Sequence, residues 1–200
     1  MLSAALEQQL RSCRALVIGA SAGAVEALGR ILPIVPEAAR IPLVVVVHLP
    51  PNRPSLLPEL FASRCRARVR EPVDKEPMTA GTIWFAPSNY HLLLESDLSF
   101  SLSVDVPVNY SRPSIDVLFE SASDALGAGL AAIVLTGAND DGARGASAVR
   151  AQGGLVLVQD PETASARDMP NAAISRANPQ IVASLAEMAN LVLLATRDVP

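Results

Sequence analysis

Residues 15–24 read Ala-Leu-Val-Ile-Gly-Ala-Ser-Ala-Gly-Ala, and this stretch decides the fold. The apolar run at 15–18 is short and ends in Gly19, which predicts a buried strand. Residues 24–32 then have helical composition and stop at Pro33. Strand and helix are joined only by a turn of the pattern G-x-S-x-G, with Ser21 at its centre. The two glycines permit a tight turn, and Ala20 and Ala22 keep the surroundings small. Ser21 would then project its hydroxyl where the helix dipole favours negative charge, with the Ala22 N–H aimed at an incoming carbonyl oxygen. Two plainer readings stand beside this one. Ser21 could be a helix N-cap. The turn could also cradle a dinucleotide phosphate, although it lacks a full G-x-G-x-x-G and no acid ends the second strand.

Outward from this turn, strands and helices alternate. Residues 41–47 form a continuous apolar run behind Pro42, as expected of a strand covered on both faces. The run feeds directly into His48, and Pro50-Pro51 ends it. A helix is expected at 55–65. The segments 82–85, 91–95 and 98–104 read as short strands of a small antiparallel insertion. A helix opens at Arg112-Pro113-Ser114 and runs to about residue 126, with Asp116 in its first turn. Then come a strand at 130–135, a helix at 142–151, a strand at 155–158 and a helix at 169–176; residues 190–194 close the apolar pattern. Residues 1–12, with Leu2, Leu6 and Leu10 at spacing four, form a short amphipathic helix or a frayed lead-in. The alternation predicts one α/β domain at 14–196, preceded by a lead-in at 1–13. It is doubly wound, with a mostly parallel sheet flanked by helices and the small antiparallel insertion. In such sheets chemistry belongs at the carboxyl ends of the strands.

Three of those ends carry reactive side chains. Ser21 follows the first strand. His48 follows the second, where a general base would serve the serine and where the plainer reading is a strand-capping histidine. The strand at 131–135 runs into Thr136-Gly137-Ala138-Asn139-Asp140-Asp141-Gly142, whose acids could orient an imidazole or simply make an Asp-Gly turn. The order Ser, His, Asp differs from the Ser, Asp, His of α/β-hydrolases. His91, inside the expected insertion, reads as structural.

Composition narrows the classes further. Half of the 200 residues are hydrophobic and 18% charged, which excludes a disordered chain. No apolar run approaches the ~20 residues of a membrane-spanning helix. Glu7 and Arg11 interrupt any secretory pattern, so a cytoplasmic protein is expected without membrane insertion. A net charge of −4 argues against a nucleic-acid partner. Two cysteines and two histidines at unrelated spacings suggest no metal site. A single domain of this length leaves no room for a separate regulatory module of ~100 residues.

Taken together, the segments VIGASAGAVEAL (17–28), VVVVHLPPN (44–52), IWFAPSNYHLLLE (83–95), RPSIDVLFESAS (112–123), IVLTGANDDGARG (133–145) and VQDPETASARDMPNAAI (158–174) resemble the catalytic domain of chemotaxis protein-glutamate methylesterases, the CheB family. The resemblance implies Ser21 as nucleophile and His48 as base. It selects Asp141, immediately before Gly142, over Asp140. With it come backbone oxyanion donors at Ala22 and Ala138, and neither cofactor nor metal. The implied reaction releases methanol from glutamate methyl esters of a methyl-accepting chemoreceptor or related signalling protein, and in some members deamidates receptor glutamines. Family enzymes commonly carry an N-terminal receiver domain. None is expected in these 200 residues, so any regulatory protein would act in trans. The chain departs from the family pattern at Ala24, commonly a second glycine, and at Ala138-Asn139, commonly Met-Gly. Asn139 would strain the loop if a positive φ were required there. That altered loop motivates the alternative of a catalytically weak, receptor-binding scaffold; a nucleotide-binding module is the remaining one. Arg112, Asp116, Asp160 and Met169 lie in the resembling segments without an assigned role.

Overall fold

The computed structural model describes residues 2–49 and 55–198. Seven strands form one parallel sheet. They are β1 (Ala15–Ala20), β2 (Leu43–Val47), β3 (Arg68–Arg70), β4 (Thr82–Phe85), β7 (Leu130–Val134), β8 (Leu155–Gln159) and β9 (Ile181–Ala183), with β5 and β6 lying outside the sheet. The order across it is β3-β4-β2-β1-β7-β8-β9. The chain therefore starts in the middle, builds one half, and returns to the other side of β1 to build the second.

Along β1 the side chains alternate between two cores. Leu16, Ile18 and Ala20 face α2 (Ala24–Ile31), α7 (Leu185–Thr196), α3 (Leu57–Ala62) and α1 (Ala4–Ser12), through Leu28, Met188, Phe61 and Leu10 among others. Ala15 and Val17 face α4 (Ile115–Leu126), α5 (Ala143–Ala151) and α6 (Asp168–Ala177), through Phe119, Val149 and Ala173 among others. Period-two alternation with both faces covered is why these strands are apolar throughout. The segment expected as a lead-in thus contributes to a core: Leu10 is 1% exposed.

The structure shifts several expected elements. Residues 82–85 belong to the parallel sheet, where Leu43, Val44 and Val45 pair with Ile83, Trp84 and Phe85. All four residues of β4 are buried, as only an interior strand requires. The antiparallel part is the hairpin of β5 (His91–Leu94) and β6 (Phe100–Ser103) alone. It covers the α4 face with Leu92, Leu94 and Phe100. Residues 190–194 lie inside α7, which Ser184 and Glu187 open with a reciprocal capping box. The edge strands β3 and β9 went unrecognised because each has three residues and β3 is Arg-Val-Arg. The turn read at Pro50-Pro51 lies outside the described residues.

Candidate active site

β1 lies between β2 and β7, so the first residues beyond these three strands converge. Ala20 pairs with Val47, and Gly19 with Val134. The ladder runs on past the strands: the Ser21 N–H donates to the Thr136 carbonyl at 2.9 Å, and the His48 N–H to the Ala20 carbonyl at 3.3 Å. Ser21 and His48 therefore leave adjacent strands side by side, about one strand spacing (~4.8 Å) apart in backbone.

The glycines of G-x-S-x-G do different work from that expected. Gly19 lies within β1, and a Cβ there would stand 2.4 Å from Ile115 Cγ2. Its small size seats Ile115. Only Gly23 makes the turn, with φ +84°, and it is the N-cap residue of α2. The N-cap reading of Ser21 is thereby overturned. Among the described residues the Ser21 hydroxyl has no hydrogen-bond partner, and the N–H groups of Ala22 and Ala138 donate to no acceptor. Thr136 ties the neighbouring loops together, its hydroxyl donating to the Ala22 carbonyl at 2.7 Å and accepting from the Ala166 N–H at 2.9 Å.

His48 and Asp141 meet. Nε2 of His48 lies 2.7 Å from Asp141 Oδ2, with 11% of the imidazole and none of the carboxylate exposed. Asp141 accepts from Ile115 N–H (2.7 Å), the Ser114 hydroxyl (2.8 Å), Asn109 Nδ2 (3.0 Å), Asp116 N–H (3.1 Å) and Gly142 N–H (3.1 Å). Burial alone would push its carboxyl up. The hydrogen bonds from His48, Ile115 and Asp116 outweigh burial and hold it below the ordinary carboxylate value. An ionised Asp141 on Nε2 fixes the proton there and leaves the lone pair on Nδ1. This is the reverse of the nitrogen usage in chymotrypsin-type triads. Asp140 is exposed, and its carbonyl accepts from the Ala143 N–H at 3.1 Å in the turn before α5.

Sequence reasoning missed Asp141's supporting residues. Asp116 is 2% exposed. Its Oδ1 accepts from the N–H groups of Gly142 (2.9 Å) and Gly145 (2.7 Å) at the start of α5. Asp141 does the same for Ile115 and Asp116 at the start of α4. Each carboxylate caps the other's helix, and Asn109 Nδ2 bridges them, 3.0 Å from each. Burial, and then the neighbouring charge of Asp141, raise the Asp116 carboxyl above its ordinary value. The available signal was an acid near the start of two helices; Asp116 had been read as serving its own. His91 is structural, as expected, and holds Ser114: Nδ1 accepts from the Ser114 N–H at 3.2 Å and Nε2 faces the Val106 carbonyl at 3.1 Å.

The departures from the family pattern resolve differently from the expectation of strain. Asn139 is not among the residues of positive φ. Its amide instead reaches the imidazole, with Nδ2 3.4 Å from His48 Nδ1, while its Oδ1 accepts from the Asp141 N–H at 3.3 Å. No hydrogen bond joins Ser21 to His48. Gly137 seats Met169, whose Cε would lie 2.5 Å from an added Cβ.

The description "CheB methylesterase" belongs to the family model that matches residues 16–192. A Leptospira interrogans protein named "Putative protein-glutamate methylesterase/protein-glutamine glutaminase" is 42% identical over 179 residues, covering 90% of this chain and 93% of its own. A Nocardioides protein, "Protein-glutamate methylesterase/protein-glutamine glutaminase", is 38% identical over 187 residues; this chain spans only 50% of its length. The crystal structure of the Thermotoga maritima CheB methylesterase catalytic domain matches with a TM-score of 0.86 and 30% identity, over 91% of this chain and 98% of that one.

Proposed function

Because this chain belongs to the CheB methylesterase family, we propose that it hydrolyses methyl esters of glutamate side chains on a chemoreceptor or related signalling protein, and deamidates receptor glutamines by the same route. We assign the catalytic unit to residues 14–196 and its work to the cytoplasm. Among the described residues no helix is long and apolar enough to cross a membrane. The observation that carries the reading is the 2.7 Å contact between His48 and the ionised, fully buried Asp141, at a strand end adjoining that of Ser21.

In this mechanism His48 Nδ1 takes the Ser21 proton as the hydroxyl oxygen attacks the ester carbonyl. The unused N–H groups of Ala22 and Ala138 receive the oxyanion, a role whose loss typically costs ~10²–10³ in rate per donor. Asp141 keeps the imidazole oriented and offsets the positive charge it gains. The intermediate collapses, and His48 gives the proton to the departing methoxide oxygen, releasing methanol, or to the departing amide nitrogen of a glutamine, releasing ammonia. Water activated by His48 then cleaves the glutamyl ester on Ser21, leaving a glutamate carboxylate.

Methanol release from a methylated receptor by the wild type, and its loss in Ser21→Ala by at least ~10³-fold, are the expected results. Equal release from both proteins sinks the assignment. A second reading, a receptor-binding scaffold with slow chemistry, is favoured by Asn139 standing on the base. Receptor binding without release by the wild type would establish it instead.

A further inference from the structure

Beside the imidazole the surface folds into a cavity of about 200 Å³, with His48, Tyr110, Arg112 and Pro113 in its wall. Arg112 brings a positive charge into it. Its Nη1 donates to the carbonyls of Val104 (2.7 Å) and Asp105 (3.0 Å), which fixes the guanidinium in place. Its Nε is buried and donates to nothing. Among the described residues no carboxylate lies within ion-pair distance of Arg112, a state it shares with Arg14, Arg40 and Arg150 among others. A pre-positioned cation without a carboxylate partner, in the wall of a cavity beside the proposed base, can receive an anionic group there. The ester that undergoes hydrolysis is neutral and does not require it. A planar fork of N–H donors matches a carboxylate, and the cavity has room for one small side chain.

We propose that Arg112 receives a carboxylate of the substrate protein flanking the esterified glutamate, so that the enzyme selects esters set beside an acidic side chain. This rests on the methylesterase reading and deepens it with a specificity-determining residue. The acid both orients the ester over Ser21 and replaces the acceptor that Arg112 lacks.

The test uses a methylated receptor and the same receptor with the acids flanking its methylated glutamate changed to glutamine, each assayed for methanol release. The wild type is expected to lose about tenfold in kcat/KM on the neutralised substrate, mostly through KM, as a charge-assisted hydrogen bond implies. Arg112→Gln is expected to treat the two substrates alike, and Arg112→Lys to keep part of the preference. A purely structural role in holding the Val104 and Asp105 carbonyls would slow both substrates equally and leave the ratio untouched. A wild type indifferent to the change, or an Arg112→Gln variant that still discriminates, overturns the proposal. If Arg112→Gln does not fold, the wild-type ratio and its retention in Arg112→Lys decide. No release by the wild type from either receptor removes the esterase reading itself, and this proposal with it.

Discussion

Asn139 occupies the position where the family pattern has glycine, and its amide lies 3.4 Å from the His48 nitrogen that we propose acts as base. A neutral hydrogen bond this long contributes less than ~1 kcal/mol. It must nevertheless be surrendered before Nδ1 can take the Ser21 proton. Asn139→Gly is therefore expected to raise kcat about two- to fourfold with KM unchanged, as single-turnover and steady-state methanol release would show; a fall in kcat would mean that the amide assists. The nitrogen usage of His48 has a pH consequence as well. Asp141 is held below its ordinary value, so its stabilising contribution is complete above the unfolded value of ~3.9 and is lost as pH falls through the lower folded one. Asp116, raised, has the opposite sign: its contribution is present at low pH and is lost as pH rises through its folded value. The stability gap between wild type and Asp141→Asn should thus narrow below about pH 4. Emission of the single tryptophan, Trp84, which is 1% exposed and packs on Phe100, reports the unfolding. A gap that widens on acidification would contradict the depressed value.

At the scale of elements, α4 and α5 are joined by an exchange of caps. Ser114, the N-cap residue of α4, makes no side-chain bond to its own helix and gives its hydroxyl to Asp141. Gly142, the N-cap residue of α5, has no side chain to offer and φ +91°. Both helix starts therefore depend on a carboxylate from the other. Asp116→Ala leaves the Gly145 N–H buried without an acceptor and the Gly142 N–H with Asp141 alone, and should cost about 1–3 kcal/mol, measurable as a shift of the urea midpoint. It should also lower kcat, because the loop that carries Asp141 begins α5. Unchanged stability would show that water replaces the carboxylate. This exchange was invisible in the sequence. Periodicity exposes which face of a helix is buried, as the helical spacing of Ile115, Leu118 and Phe119 does in α4. It carries no information about which of two nearby acids reaches across to a neighbouring helix. Asp141 was separated from Asp140 by resemblance to a family motif, not by its spacing. What the structure adds is the physical reason: Asp141 is buried under six donors and Asp140 faces solvent.

Across the whole molecule, the central strands were legible because burial on both faces writes continuous apolar runs, as at 43–47 and 130–134. The rims were not. β3 spends its three residues on two arginines, one of them paired with Glu76 and laid over Trp84, and so reads as surface. That a Ser, a His and an Asp would converge followed from strand ends alone, since a parallel sheet delivers all its carboxyl ends to one rim. The strand order also has a consequence for synthesis. β2 and β4 can assemble on one side of β1 as soon as residues up to about 86 have emerged. The other side of β1 has no partner until residues 130–134 arrive, and Asp141 follows only after that. A nascent chain therefore presents a bare apolar strand edge through some forty residues of elongation, while holding a serine and a histidine with nothing to align them. It is a hazard to its neighbours before it can be a catalyst: the first condition ends when β7 docks, the second when Asp141 follows it.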